Sequence, residues 1–185
     1  AGIQVVIEDY LKGFEVSIIA VCNGKDIFPM ISAKDYKKVG NAGVGANTGG
    51  MGSLAPSPDF TMVHNRDFED NIMKPTLAGL KDNYLMFSGF IFFGLLVTEE
   101  GCHLLEYNMR AGDPETQVLL ELLDDDLIEV IEDCIDGKEI DLKFKDEKAV
   151  CLVLASGGYP GHYETGYEIT GLEKVQQSDV SLSGA

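Results

Sequence analysis

The stretch GFIFFGLLVTEEGCHLLEYN, residues 89–108, restricts the fold more than any other part of the chain. GFIFFGLLV, residues 89–97, falls well short of the ~20 apolar residues a membrane span needs, so it reads as a strand buried within protein. Thr98-Glu99-Glu100-Gly101 supplies a turn, and CHLLEYN, residues 102–108, returns alongside. A second hairpin is written where FEVSIIAVC, residues 14–22, meets DIFPMIS, residues 26–32. Asn23-Gly24 joins these runs, and both positions of such a turn want positive φ. IQVVIEDYL, residues 3–11, is a further short buried strand by composition. Antiparallel sheet is therefore the expected framework.

Helical spacing begins near Asn65 and places Phe68, Ile72, Leu77 and Leu80 on one side, with Pro75 expected to kink or divide the helix. Asp113 is a good N-cap with Pro114 in the first turn, which predicts a helix from Pro114 to Leu123. Asp126 and Glu129 resemble a capping box for another helix ending near Gly137. The composition changes at KEIDLKFKDEK, residues 138–148, where a domain boundary is expected. AVCLVLAS, residues 149–156, then starts a new strand, and GGYPGHYETGYEITGLEKV reads as short strands and turns. The opening residues resemble the inside of a domain, so the chain is expected to be part of something longer. The class is α+β.

Charge narrows the ligands. With 31 acidic against 14 basic residues, the formal charge of −17 argues against a nucleic-acid backbone or an anionic membrane as partner. A small ligand is expected, phosphates included, where local donors and a divalent cation reverse the field. Cys22, Cys102, Cys134 and Cys151 lie far apart in apolar contexts, as reduced thiols of a cytoplasmic protein would. His64, His103 and His162 lack the close spacing of zinc ligands.

Residues 34–52, KDYKKVGNAGVGANTGGMG, read either as a long surface loop or as a ligand loop. Glycine lets backbone amides approach an anion, and Lys34, Lys37 and Lys38 are a local excess of positive charge. In LLEYNMRAGDPETQ, residues 104–117, strand alternation puts Glu106 and Asn108 on one face and Leu105 and Tyr107 on the other. A carboxylate beside an amide carbonyl suits Mg²⁺, which takes few protein oxygens and completes its shell from water and phosphate. The alternative is a solvated strand face. Arg110 can grip a carboxylate or phosphate with two hydrogen bonds. The helix start at Asp113 offers free amides, and Asp113 and Glu115 could hold a cation or an ammonium group. Plain capping would account for Asp113 and Glu115 but leaves Arg110 unexplained. Phosphoryl transfer by positioning and charge neutralisation fits these parts.

IEDYLKGFEVS, DYKKVG, NTGGMG, LLEYNMRAGDPETQ and LASGGYPGHYETG, in this order, resemble the glycinamide ribonucleotide synthetases, a family of ATP-grasp ligases. The resemblance covers nearly the whole chain. It implies the C-terminal subdomain of an ATP-grasp fold, an antiparallel sheet with flanking helices, over residues 1–140, and the start of a small β-rich domain over 145–185. It also implies ATP and Mg²⁺ or Mn²⁺ as cofactors, glycine and 5-phosphoribosylamine as substrates, and a glycyl phosphate intermediate. The N-terminal part of such an enzyme, with its nucleotide-binding lysines, would be the missing partner. By the same resemblance Glu106 and Asn108 are metal ligands, and Arg110, Asp113 and Glu115 are substrate-side residues. Glu8, Asp9 and Leu11 match the stretch that meets adenine, with Glu15 at the ribose. Asp35, Lys37 and the loop Asn47, Thr48, Gly49, Gly50, Met51 and Gly52 match positions lining the substrate cleft. Tyr36, Ala46, Met109 and Ala111 depart from the residues the family commonly carries there, respectively histidine, proline, cysteine and phenylalanine. Two rivals share some features: another ATP-grasp ligase, or a non-catalytic acidic module using Asp124–Asp126 and Glu132-Asp133.

Overall fold

The structure is a computed structural model, and it describes residues 5–174. Strands β1 (Phe14–Asn23), β2 (Ile27–Pro29), β5 (Ser88–Thr98) and β6 (Gly101–Asn108) form an antiparallel sheet in the order β2-β1-β5-β6. Both expected hairpins are present. Helices α1 (Met62–Phe68) and α2 (Lys74–Asp82) cover one face. Helices α3 (Glu115–Leu122) and α4 (Leu127–Ile135) cover the other.

This two-sided cover explains why β1 reads as a continuous apolar run. Val16, Ile18, Ala20 and Cys22 pack with Phe68, Ile72 and Phe93 under α1 and the turn that follows it. Ile19 and Val21 point the opposite way and join Val118, Leu119, Leu122 and Val130 of α3 and α4. The side-chain period is still two, but neither face is wet. Phe93 is wholly buried and meets Phe68 edge-on, with ring centroids 5.2 Å apart.

A second sheet is built from β3 (Lys34–Asp35), β4 (Gly52–Ala55) and β7 (Ala149–Leu152), all antiparallel. The glycine-rich segment is therefore the tip of a hairpin. Its ladder extends past β3 and β4 through Tyr36 with Met51 and Gly52, then Lys38 with Asn47. Residues 138–148 lie on the core, with Ile140 buried and the Lys145 amide bonded to the Leu122 carbonyl.

Pro75 divides the helical stretch as expected. A π-helical turn, Glu69–Met73, separates α1 from α2, and Pro75 sits at the start of α2. A proline there lacks the N–H for an intrahelical bond and crowds the carbonyl four residues back, which the wider turn relieves. The Asp126 carboxylate caps α4 by accepting from the Ile128 amide at 2.8 Å. Gly137, at φ 66°, closes that helix.

Four expectations are corrected. Residues 5–11 form no strand, and Val5, Val6 and Ile7 are 83–92% exposed. No described strand pairs with them, and an isolated apolar strand has neither a ladder nor a cover; residues 3 and 4 lie outside the described residues. At the first hairpin only Gly24 takes positive φ, 82°. Asn23 acts instead through its side-chain oxygen, which accepts from the amides of Lys25 and Asp26. Asp113 does not cap α3: Pro114 occupies the cap position, and the Asp113 carboxylate accepts from Gln117 Nε2 at 2.8 Å. Residues 157–162 form turns, 163–171 take no regular structure and Leu172–Lys174 is a 3₁₀ turn, in place of short strands. Gly158, Gly166 and Gly171 take φ of 84–101°, outside the extended region.

Among the described residues no helix is long and apolar enough to cross a membrane. The four cysteines are free thiols, and burial pushes Cys102 up to about 12, with Cys134 and Cys151 also raised.

Candidate active-site cleft

One irregularity in β6 sets the site. Gly94 of β5 faces Glu106, while Leu95 faces Leu104, so Leu105 is an extra residue in the returning strand. A β-bulge of this kind reverses the alternation. Cys102 and Leu104 turn toward the α1–α2 side. After the bulge, Leu105 and Glu106 both line a cleft of about 170 Å³ on the other side, and Tyr107 packs its ring on Phe93. Leu105 thus departs from the expected alternation, in which it shared a face with Tyr107. Asn108 Nδ2 donates to Glu106 Oε1 at 3.1 Å, so the two side chains expected on one face are in contact. Gly94 leaves room for this, since a Cβ there would lie 3.0 Å from Glu106 Cγ.

Glu15, Ser17, Asp35 and Lys37 line the same cleft. Lys37 Nζ bonds Glu15 Oε2 at 2.7 Å. Burial pulls the Lys37 ammonium down, but the bond to Glu15 and the charges of Glu15, Asp35 and Glu106 outweigh it and hold it above its ordinary value. Behind the cleft Glu115, 3% exposed, accepts from Ser17 Oγ at 2.7 Å. Gly112 makes this possible, because a Cβ there would stand 2.6 Å from Glu115 Oε2.

Asp35 is the perturbed group. Burial, then the charge of Glu115, raises its carboxyl from 3.8 to about 7 despite Lys37. The folded protein binds this proton more tightly than the unfolded chain, so stability falls as pH rises from 3.8 toward about 7. Asp35→Asn is therefore expected to raise the melting temperature at pH 8 and to change it little at pH 4. An equal change at both values would rule out this titration.

The returning arm of the glycine-rich hairpin docks on the start of α3. Ser53 Oγ donates to the Pro114 carbonyl at 2.6 Å. Gly50, at φ 128°, passes so close that a Cβ would meet Pro114 Cδ at 2.4 Å and Asp35 Oδ1 at 2.9 Å. Thr48 Oγ1 accepts from the Gly50 amide, and the Gly49 amide donates to Tyr159 Oη at 3.1 Å.

Not every expected residue gathers here. Glu106, Glu15, Asp35 and Lys37 line the cleft, with Asn108 and Glu115 in contact with its walls. Arg110 and Asp113 are exposed beyond it, Arg110 Nη1 donating to the Ala111 carbonyl. Glu8 and Asp9 are exposed and Leu11 is half-buried in the unpaired opening segment, and none of the three is among the cleft-lining residues. Ser17, Gly94 and Tyr159 belong to the site's framework and were not anticipated. A lone hydroxyl in FEVSIIAVC and a glycine inside GFIFFGLLV were signals for the first two; nothing local marks Tyr159.

Residues 1–116 match the family described as phosphoribosylglycinamide synthetase, ATP-grasp (A) domain. The solved structure of N5-carboxyaminoimidazole ribonucleotide synthetase from Thermus thermophilus shares the fold, with a TM-score of 0.56 at 14% identity over 77% of this chain and 36% of that one. The chain thus carries part of an ATP-grasp fold. More closely, it is 47% identical to the phosphoribosylamine–glycine ligase of Clostridium acetobutylicum over 94% of its own length and 42% of that protein's. The corresponding enzyme of Caldanaerobacter subterraneus is 44% identical over 100% of this chain and 45% of the relative. The crystal structure of phosphoribosylamine–glycine ligase from Thermotoga maritima superimposes with a TM-score of 0.77 at 32% identity, over 85% of this chain and 40% of that one. The chain belongs to the phosphoribosylglycinamide synthetase family, and it spans less than half the length of these relatives.

Proposed function

We propose that this chain is the second half of the ATP-grasp domain, residues 1–140, and the opening of the following β-rich domain, 145–185, of a phosphoribosylamine–glycine ligase. The reaction joins glycine to 5-phosphoribosylamine through a glycyl phosphate and releases ADP and phosphate. Its setting is the cytoplasm, where the thiols stay reduced.

The observation that carries the reading is the contact of Glu106 with Asn108 at a cleft that also holds Glu15, Asp35 and Lys37. The donors are all oxygens and the field is strongly negative, which suits Mg²⁺ or Mn²⁺ shared with phosphates. Such an ion, held by Glu106 and Asn108, would neutralise charge on the triphosphate. Glu8, Asp9 and Leu11 meet adenine and Glu15 the ribose. Lys37, kept charged by its carboxylate neighbours, offers a cation to phosphate oxygens. Arg110 and Asp113, both exposed, grip the substrates' charged groups. Glu115 stays behind Ser17 and sets the potential at Asp35. The returning arm of the hairpin from Asn47 to Gly52 borders the substrates, with Gly50 packed under Pro114 and the Gly49 amide held by Tyr159.

The test is ADP release from a full-length enzyme containing this sequence. Release is expected only when glycine, 5-phosphoribosylamine and Mg-ATP are all supplied. ADP formed equally with another carboxylate would overturn the assignment. Arg110→Lys is expected to raise KM for substrate about tenfold or more without moving the melting temperature; parallel losses would make Arg110 structural.

A further inference from the structure

We propose that Asp35 accepts the proton shed by the attacking amine, a step that rests on the ligase reading above. The cleft brings carboxylates from four elements, and three of them are already engaged. Glu15 on β1 pairs with Lys37, Glu106 on β6 accepts from Asn108, and Glu115 on α3 accepts from Ser17. Asp35, at the end of β3, lines the cleft, and its Oδ1 is sealed from solvent with no hydrogen-bond partner among the described residues. Gly50 and Pro114 close over that oxygen, and among charges Glu115 acts on Asp35 most strongly, followed by Lys37 and Glu15. With only the Tyr36 backbone amide lowering its pKa through a hydrogen bond, Asp35 is the least engaged of the four, and it would take a proton on its cleft-lining side and not at the sealed Oδ1.

The chemistry requires such a group. The amine lone pair forms a C–N bond to the glycyl carbonyl carbon. The C–O bond to the phosphoryl group breaks, and inorganic phosphate leaves with that electron pair. The nitrogen, now carrying one proton too many, gives it to the Asp35 carboxylate, which later returns it to water. No further reactant is consumed. A base works best when its pKa lies near the working pH, and burial brings Asp35 to about 7. Glu115 supports that value from α3, while Lys37 limits it.

The experiment uses the full-length enzyme with Mg-ATP and glycine, and compares two acceptors, 5-phosphoribosylamine and hydroxylamine. Hydroxylamine traps an acyl phosphate with little need for a base. Asp35→Asn is expected to lose about 10²–10⁴-fold in kcat toward the ribosyl amine while forming glycyl hydroxamate within a few-fold of wild type. The fall in wild-type kcat/KM below about pH 7 should flatten in this variant. Asp35→Glu should recover part of the rate, and thermal melting of both variants separates misfolding from lost chemistry. Equal loss with both acceptors in a folded variant, or undiminished amide formation, would overturn the assignment to Asp35. Failure of the wild type to form any glycyl hydroxamate would overturn the ligase reading and this step with it.

Discussion

Glu106→Ala in the full-length enzyme is expected to reduce ligation by about 10³-fold, or ~4 kcal/mol of transition-state stabilisation. The carboxylate is the charged member of the Glu106–Asn108 pair, and in the proposed site its removal would leave an amide alone to hold a divalent ion beside a triphosphate. Glu106→Gln keeps the shape and should lose nearly as much, because charge does most of the holding. Raising Mg²⁺ should recover part of the rate in both variants. Melting should barely change, since Glu106 is exposed and belongs to no apolar cluster. Steady-state ADP release across an Mg²⁺ titration is the measurement, and wild-type turnover by the alanine variant at ordinary Mg²⁺ would remove Glu106 from the proposed metal site.

Phe93→Ala is expected to cost about 3–5 kcal/mol of stability, read as the shift of the urea unfolding midpoint. Phe93 is wholly buried, stands edge-on to Phe68 at 5.2 Å and carries the Tyr107 ring at 5.5 Å. Truncation would open a cavity where β5 meets the end of α1, and it would remove the support of the residue between Glu106 and Asn108. Tyr107→Ala, at a position 45% exposed, should cost much less. A loss under about 1 kcal/mol for Phe93→Ala would mean that this interface can collapse around the gap.

The legible part of the fold was the part governed by neighbours in sequence. Apolar runs with turn residues between them marked β1, β2, β5 and β6; Pro75 marked the break between α1 and α2; Asp126 and Gly137 bounded α4. The opening stretch misleads because composition records a wish for burial without supplying a partner, and Val5, Val6 and Ile7 have none among the described residues. Asp113 misleads because Pro114 takes the cap position and leaves the carboxylate to Gln117.

For the site, the residue types and their two-residue spacing were visible in LLEYNMR, but the reason Glu106 faces the cleft was not. Simple alternation from Cys102 and Leu104 would have carried Glu106 to the α1–α2 face; the bulge at Leu105, opposite Gly94, reverses it. A bulge depends on how two strands are paired, and that pairing is a property of the folded sheet.

By itself the sequence determined the strands, the helix break, the acidic balance and the oxygen-rich side chains of the candidate site, because each follows from the covalent chemistry of adjacent residues. Only tertiary structure decided which carboxylates are engaged. Ser17 reaches Glu115 across 98 positions, Gly50 lies under Pro114, and Asp35 Oδ1 is enclosed without a hydrogen-bond partner among the described residues. Those relations are set by how the two sheets and α3 close on one another, and the desolvation that perturbs Asp35 exists only once that closure has expelled the water.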